Sequence, residues 1–160
     1  MGRGVLEQIR ERIERASVAY RHIEHPPTYT SEESAAARGE SLEIGGKALL
    51  LKDQRGTYRL FVMSAALKLD SGAIRKELGL SKLRFATAAE LLEQTGLVPG
   101  SVPPFGEPIL PFELFADRSV LANENIAFNA GSLTDSIVMR TKDWQQLASP
   151  RVFDFSVAAD

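Results

Sequence analysis

A predicted β-hairpin in the first half of the chain constrains the fold more than any other feature of the sequence. Two β-rich runs, 47–52 and 57–64, flank the segment 53–56, which has the length and the late glycine of a hairpin loop. The first run contains Ala48-Leu49-Leu50-Leu51 with no polar residue between them. A continuous apolar run is typical of a strand that is buried on both faces. We therefore expect this strand to lie inside a sheet rather than at its edge.

The rest of the chain alternates helical and β-like patterns, which predicts an α+β domain on a mostly antiparallel sheet. Apolar spacing, N-cap residues and closing glycines predict helices at 3–19, 31–37, 71–78, 88–94 and, with Thr141 as the cap, up to 147. β-prone runs predict strands at 18–24, 83–86, 111–116, 125–129 and 135–140. The sequence leaves two positions open for the strand at 111–116, the edge of the sheet or its core. It also leaves two structures open for residues 151–160, a further strand or a tail packed elsewhere. A length of 160 residues predicts a single domain, 1–160.

Composition excludes several kinds of site and partner. The chain has no cysteine, which excludes a disulfide scaffold, a thiolate zinc site and a cysteine nucleophile. Two histidines, His22 and His25, are too few for a metal motif, so we interpret them as structural and expect no metal and no cofactor. The net charge of −2 argues against DNA or extended duplex binding, but allows contact with the few phosphates at the end of a tRNA.

The sequence also predicts where the protein works. No apolar run approaches the roughly 20 residues that cross a bilayer, and the charged N-terminus lacks the apolar core of a signal peptide. We therefore expect a cytoplasmic protein with no membrane partner.

A lysine at the start of the apolar strand is the first candidate for chemistry. Lys47 follows Gly45-Gly46 and precedes the buried leucines. An ammonium group that is partly desolvated there would bind an anion or a developing oxyanion more strongly. A surface lysine that simply begins a strand explains the same pattern, and from these residues alone it is the preferred interpretation.

Two loops are the other candidates. Residues 98–111 contain five prolines and two glycines, which predicts an ordered loop. Because proline restricts the backbone, the free N–H groups of this loop are expected to have a fixed orientation before a ligand binds. The part from Gly100 to Gly106 fits a rigid connector and a ligand-binding wall equally well. Asn129 and the small residues after it follow an apolar strand, where both ligand contacts and plain turns are common.

These features, in this order, resemble the YbaK-like, prolyl-tRNA-synthetase-associated editing domains, which deacylate mischarged aminoacyl-tRNA. The resemblance runs from about residue 25 to residue 147. The stretches that carry it are His25-Pro26-Pro27 with Thr30, the strand 47–51, Lys68-Leu69-Asp70, Leu83-Arg84-Phe85-Ala86, the loop 100–106, Phe128-Asn129-Ala130-Gly131 and Ser136-Ile137. No single stretch is specific, but the ordered set favours a functional role for Lys47.

The resemblance implies a compact, barrel-like mixed sheet with helices around a pocket for the aminoacylated 3′ end of tRNA. It implies catalytic roles for Lys47 on the terminal nucleotide and for Gly100 and Pro104 in a loop that positions the ester. The implied substrate contacts are His25, Thr30, Phe105, Gly106, Asn129, Ala130, Gly131, Ser132 and Ser136. The tRNA 2′-hydroxyl is implied to assist hydrolysis, which fits a chain without a cysteine or an obvious serine triad.

We accordingly expect a free-standing trans-editing hydrolase for tRNA carrying a small or hydroxylated amino acid such as serine, threonine or alanine. Its expected partners are the acceptor end of aminoacyl-tRNA and a synthetase that helps to recruit it. Residues 63–66 depart from the family pattern and are expected to reshape the pocket rim. A non-catalytic module that binds a tRNA end or a nucleotide is the alternative, and a purely structural domain is a third interpretation.

Overall fold

The hairpin predicted from the sequence forms the centre of the molecule in the computed structural model, which describes residues 4–159. The helices of this part are α1 Val5–Arg15, α2 Ser31–Arg38, α3 Ser71–Leu78, α4 Ala88–Thr95, α5 Arg118–Leu121 and α6 Thr141–Ala148. The strands are β1 Tyr20–Glu24, β2 Gly46–Asp53, β3 Tyr58–Ser64, β4 Leu67–Leu69, β5 Leu83–Phe85, β6 Leu114–Ala116, β7 Asn125–Asn129, β8 Asp135–Arg140, β9 Arg151–Val152 and β10 Ser156–Ala158. A short 3₁₀ turn, Leu42–Ile44, leads into β2. No helix of the described part is both long and apolar enough to cross a membrane.

Three sheets make up the β-structure. The largest has the order β5-β2-β3-β6-β9, with antiparallel pairs on the β5 side and parallel pairs on the β9 side. Strands β1, β8 and β7 form an antiparallel sheet, and β10 pairs antiparallel with β4. The predicted α+β class with mostly antiparallel pairing is confirmed. The barrel-like closure is wrong, because β5 and β9 are the outer strands of an open sheet.

The apolar run in β2 is buried as the sequence predicts. Leu50 and Leu51 are both buried, and because successive side chains of a strand point to opposite faces, they enter two different cores. Leu50 belongs to a cluster with Ile9 of α1 and Trp144 of α6. Leu51 belongs to a second cluster that includes Ile74 of α3. The large sheet is therefore covered on both faces, and each fully buried side chain of this size contributes about 1.5–3 kcal/mol.

The start of β2 is held against β7, and this contact positions the site. Gly45 forms an isolated parallel bridge with Ala127. A Cβ added to the neighbouring Gly46 would lie 2.6 Å from Cδ1 of Ile126. Glycine is therefore required here for close packing between two sheets.

Local signals placed most helix ends correctly, with two exceptions. Helix α1 ends at Arg15 instead of residue 19, because Ser17 adopts a positive φ of 57° and turns the chain toward β1. The predicted start at Arg3 lies outside the described residues. Thr141 is not the cap of α6: Arg140 occupies the N-cap position, and the Thr141 hydroxyl is buried without a hydrogen-bond partner among the described residues.

The last part of the chain is decided by pairing with distant segments. Strand β6 is shorter than the predicted 111–116 and is core rather than edge, since it lies between β3 and β9. Residues 151–160, for which the sequence left two options, supply β9 beside β6 and β10 beside β4. Helix α5 and strand β4 had no local signal and were not predicted.

Candidate functional site

A cavity of about 410 Å³ lies where α2, the start of β2, the proline-rich loop and the end of β7 meet. Its wall includes four of the predicted site residues, Thr30, Lys47, Gly100 and Asn129. Ala65, within the divergent segment 63–66, also lines it. The volume is within the range of about 300–1,000 Å³ that small-molecule sites occupy.

Lys47 supplies an available positive charge at this cavity. Its side chain is exposed, and it forms no ion pair with any residue in the part of the chain that the structure describes. The strand register places it opposite Met63. An ammonium group without a carboxylate partner at the edge of a cavity is suited to bind a phosphate or a hydroxyl of a ligand.

The proline-rich loop forms one wall of the cavity and is held by backbone hydrogen bonds. The Ser101 carbonyl accepts a hydrogen bond of 2.9 Å from the Gly131 N–H, and the Ser101 N–H donates to the Val98 carbonyl at 3.1 Å. In a trans peptide the C=O and the following N–H point in opposite directions, so the Val102 N–H points away from Gly131. Val102 and Gly100 line the cavity, and neither N–H has an acceptor among the described residues.

Gly100 is the turning point of this loop. Its φ of +90° lies in a region that other residues rarely adopt, and its carbonyl accepts a hydrogen bond from the Nδ2 of Asn129. The side chain of Asn129, at the end of β7, therefore holds the loop from one side while the Gly131 amide holds it from the other. Gly100, Asn129 and Gly131 are thus brought together as predicted for one site.

Arg38 joins this group and was missed by sequence analysis. Its Nε donates to Ser136 Oγ at 3.0 Å and its Nη2 donates to Asn129 Oδ1 at 2.9 Å, while the side chain also lines the cavity. Burial lowers the pKa of Arg38 to about 10, although the charge of Glu40 acts in the opposite direction. In the sequence Arg38 stands in the last turn of a polar helix, where arginine is usually a solvated residue that complements the helix dipole.

His25 and Ser136 lie behind the cavity wall, where they support Arg38 and Asn129. His25 Nδ1 lies 2.9 Å from the Pro26 carbonyl and His25 Nε2 lies 2.9 Å from Ser136 Oγ. Because a carbonyl only accepts, the proton belongs on Nδ1, and Nε2 accepts from the Ser136 hydroxyl. Neither side chain lines the cavity. Thr30 lines it, but its hydroxyl caps α2 by accepting from the Glu33 N–H at 3.1 Å.

The second half of the loop belongs to the core instead of the cavity wall. Phe105 is 2% exposed and packs edge-on against Phe128, with ring centroids 5.6 Å apart. The Pro104 carbonyl accepts from the Trp144 indole. A Cβ on Gly106 would lie 2.5 Å from the Phe112 carbonyl oxygen, so this glycine is required for packing. The structure therefore places these residues where they anchor the loop rather than where they face a ligand.

Two more predicted residues lie away from the cavity. Ala130 is fully buried in the core. The Ser132 hydroxyl donates to Asp135 Oδ2 at 2.6 Å, within the turn between β7 and β8.

Metal-ligating side chains come together only at the β1–β8 pair within the part of the chain that the structure describes. The donor atoms of His22, Glu24 and Asp135 lie within 4.8 Å of one another. His22 Nε2 is 2.8 Å from Asp135 Oδ1, and the second carboxylate oxygen accepts from Ser132 and Thr134. Burial raises the pKa of Asp135, but these hydrogen bonds outweigh it and the net shift is downward. A structural ion pair accounts for this arrangement.

Several known proteins similar to this chain are named for tRNA editing or tRNA aminoacylation. A family model described as aminoacyl-tRNA editing domain matches residues 25–147. The chain is 31% identical over 141 residues to the multifunctional Ser/Thr-tRNA deacylase ProXp-y of Escherichia coli, covering 85% of this chain and 83% of that protein. It is 31% identical over 143 residues to a proline–tRNA ligase of Stenotrophomonas maltophilia, covering 87% of this chain and 25% of that protein. A solved structure of a candidate trans-editing enzyme for prolyl tRNA synthetase matches with a TM-score of 0.81 at 25% identity, over 99% of this chain and 100% of that one.

Proposed function

This chain belongs to the aminoacyl-tRNA editing domain family, and from that premise we propose that it hydrolyses the ester between tRNA and a wrongly attached serine or threonine. The observation that carries the proposal is the cavity whose wall contains Lys47, Gly100 and Val102, with no ion pair to Lys47 and no acceptor for the Gly100 and Val102 N–H groups among the described residues. A deacylase needs both kinds of group, because it must hold the tRNA end and stabilise the charge that develops on the ester carbonyl. We assign residues 1–160 to one such domain.

Lys47 holds the terminal nucleotide in this proposal. The tRNA end carries a phosphate and ribose hydroxyls, and the ammonium group can donate to any of them. Lys47 forms no ion pair among the described residues, although Glu32 also lines the cavity. Lys47 therefore contributes to binding and orientation of the substrate.

The amides of Gly100 and Val102 form the oxyanion hole. Attack on the ester converts its carbonyl oxygen into an oxyanion, and rigid N–H donors stabilise that charge without reorganising. Asn129 and Gly131 fix the peptide planes between these amides. Pro104, Phe105 and Gly106 support the donors from the core, which is a more indirect role than substrate contact.

The 2′-hydroxyl of the terminal adenosine assists the attack. No histidine or cysteine lines the cavity in the part of the chain that the structure describes, so the wall holds no pair of a nucleophile and an imidazole base. The Ser34 hydroxyl at the wall is paired with Thr28 Oγ1 at 2.8 Å. The 2′-hydroxyl of the substrate, beside the ester, therefore takes the place of a protein nucleophile and its base.

Serine and threonine are the preferred amino acids. The Escherichia coli relative is named for these two residues and is 31% identical to this chain. A synthetase cannot reject a near-isostere by binding alone, since one methylene changes affinity by only about 1–3 kcal/mol, and a second hydrolytic step then raises accuracy. Alanine is the third substrate to include in any test.

The acceptor stem binds along a second, basic groove. A cavity of about 490 Å³ is lined by Lys52, Arg75, Lys82 and Arg84, with Asp53 as its one acidic residue. Lys52 and Arg84 share Glu90, while Arg75 and Lys82 pair with no carboxylate of the described residues. Lys52 is five residues from Lys47 along β2, or about 17 Å at 3.3 Å per residue. Because side chains five residues apart point to opposite faces of a strand, phosphates of the acceptor end pass around β2 to reach the groove while the ester occupies the first cavity.

A synthetase is the partner that we assign to this domain. The relative in Stenotrophomonas maltophilia is a proline–tRNA ligase, in which a segment similar to this chain makes up 25% of the protein. With a net charge of −2, this chain has little bulk attraction for tRNA. Recruitment through a synthetase compensates for that, and it places the activity in the cytoplasm, where charged tRNA is made and used.

The test is a deacylation panel. tRNA charged in turn with serine, threonine, alanine and a cognate amino acid is incubated with the wild-type protein and with Lys47→Ala, and loss of the ester is followed over time. Rapid loss of the seryl or threonyl ester that disappears in Lys47→Ala, with an unchanged circular dichroism spectrum, supports the proposal. Equal rates with and without protein for every ester would overturn it, and slower loss than in buffer would favour a non-catalytic binding module.

A further inference from the structure

We propose that Arg38 is a positioning residue, which acts through Asn129 to hold the Gly100–Ser101 peptide plane and thereby the free amides of Gly100 and Val102 on either side of it. The inference rests on the proposed deacylase function and adds a residue to it. It is carried by a chain of two hydrogen bonds, from Arg38 to Asn129 and from Asn129 to Gly100.

The direction of these bonds follows from the chemistry of the groups. A guanidinium group carries only donors, so Arg38 Nη2 requires the carbonyl oxygen of the Asn129 amide. That choice turns the other end of the amide, Nδ2, toward the Gly100 carbonyl, which can only accept. Without Arg38 the Asn129 oxygen keeps only the longer contact of 3.3 Å with the Ser136 hydroxyl, and a flipped amide would place that oxygen against the Gly100 carbonyl.

Ser136 keeps the guanidinium plane in place. Arg38 Nε donates to Ser136 Oγ, so two edges of the fork are held at once. The Ser136 hydroxyl in turn donates to His25, which leaves its lone pair free to accept from Arg38. A planar fork held at two points has a single orientation, which a flexible lysine ammonium would not reproduce.

The electrostatic setting shows that Arg38 is not a simple structural ion pair. No carboxylate of the described residues lies within ion-pair distance of it, and the nearby Glu40 pairs with Arg21 at 3.5 Å. A partly buried charge without a counterion costs stability. An apolar side chain would fill the same space between α2 and β7 without this cost, so packing does not explain the arginine.

The consequence for catalysis is preorganisation. Once the Gly100 carbonyl is held by Asn129 and the Ser101 carbonyl by the Gly131 amide, both peptide planes around Ser101 are fixed. Donors that are fixed before the reaction stabilise the transition state without a reorganisation cost. Loss of Arg38 should therefore affect the chemical step more than substrate binding.

The experiment is a double-mutant cycle with Arg38→Met, Asn129→Ala and the double variant, assayed on the best ester of the deacylation panel. We expect each single variant to lower kcat by about 100-fold, the scale of a misplacement of about 1 Å, with KM nearly unchanged. Because both residues act on the same carbonyl, the double variant should be no slower than Asn129→Ala. Arg38→Lys should recover little activity, since it keeps the charge but loses the fork.

The control is Arg118→Gln, which removes an exposed ion pair to Asp154 and belongs to α5, outside the cavity wall. Its kcat should equal that of the wild type. If Arg38→Met does not fold, Arg38→Gln keeps a polar side chain there and takes its place in the cycle.

The possible failures are distinguishable. If the wild-type protein hydrolyses no ester, the proposed function fails and this inference fails with it. If the wild type is active but Arg38→Met keeps its kcat, changes KM alone or combines additively with Asn129→Ala, the positioning role is wrong while the deacylase function stands.

Discussion

The indole Nε1–H of Trp144 donates to the carbonyl oxygen of Pro104 across 2.9 Å, and this bond fastens the last helix to the proline-rich loop. Trp144 is fully buried and lies in the larger hydrophobic cluster. The free amides at Gly100 and Val102 precede this anchor by a few residues. The loop is therefore held from the core at one end and by Asn129 at the other.

Trp144→Phe removes this hydrogen bond while keeping an aromatic ring. The Pro104 carbonyl, which is buried, then loses its donor, and the free energy of unfolding should fall by about 1–3 kcal/mol. Urea denaturation monitored by circular dichroism measures the change. Tyr58→Phe is the matched control, because its hydroxyl donates to Glu90 at a half-buried site where water can replace it. Equal stability losses in the two variants would contradict the anchoring role of Trp144.

Charge reversal in the basic groove should weaken the binding of aminoacyl-tRNA without affecting hydrolysis in the first cavity. In Arg75→Glu/Lys82→Glu we expect a higher KM for aminoacyl-tRNA. The slope of log kcat/KM against log salt concentration should also be smaller by roughly 1–2, because each lost phosphate contact removes about 0.9 from it. Hydrolysis of a minimal aminoacyl-adenosine, which has no acceptor stem, should be unchanged. Both side chains are exposed, so the fold should tolerate the change.

A control reversal tests whether the groove matters more than net charge. Arg140→Glu/Lys142→Glu makes the same change in charge at exposed positions beside α6, away from both cavities assigned to tRNA. It should leave KM for aminoacyl-tRNA close to that of the wild type. Equal effects of the two reversals would indicate a non-specific electrostatic effect instead of a binding groove.

The buried carboxylate of Asp117 should make stability depend on acid pH. Burial raises its pKa, but hydrogen bonds from Ser119, Ser156 and the Phe155 N–H outweigh it, and the net shift is below the ordinary 3.8. A depressed pKa means that the ionised form stabilises the fold. This contribution is complete above pH 3.8 and is lost as the pH falls below that value toward the native pKa.

Asp117→Asn is the variant that tests this dependence. It places an amide NH₂ where a carboxylate oxygen accepts, and it should cost about 1–3 kcal/mol at neutral pH. The difference from the wild type should shrink as the pH is lowered below 3.8, because the wild-type carboxylate becomes protonated. Thermal unfolding across the acid range gives both results. Asp154→Asn, at an exposed ion pair with Arg118, is the control and should change little at any pH. A difference between Asp117→Asn and the wild type that is constant with pH would refute the linkage.

Helix ends were predictable because their signals are local. Thr30 and Thr87 each start a helix with a capping box, in which the carboxylate of a glutamate three residues later accepts a hydrogen bond from the cap backbone N–H. Gly39 and Gly96 end those helices in the left-handed conformation. Thr141 looked like the same signal but lies inside the first turn of α6, since the chain direction set by β8 determines where that helix begins.

The candidate site was predictable only in part. Lys47, Gly100 and Asn129 stood out by their local setting, and the resemblance to editing domains added Thr30, and all four line one cavity. The same resemblance also indicated Phe105 and Gly106, which pack in the core. A sequence motif does not distinguish a residue that faces a ligand from one that holds the loop, because both are restricted to the same residue types.

The sequence by itself determined the hairpin, most helix boundaries and the family, because these depend on apolar patterns, caps and motifs within a few neighbouring residues. Only the tertiary structure decided that Arg38 meets Asn129 and Ser136, which are 91 and 98 residues away along the chain. The same holds for β9 and β10, whose partners β6 and β4 are distant in sequence. Hydrogen bonds of this kind depend on how the sheets pack against each other, and packing depends on the whole core rather than on any local pattern.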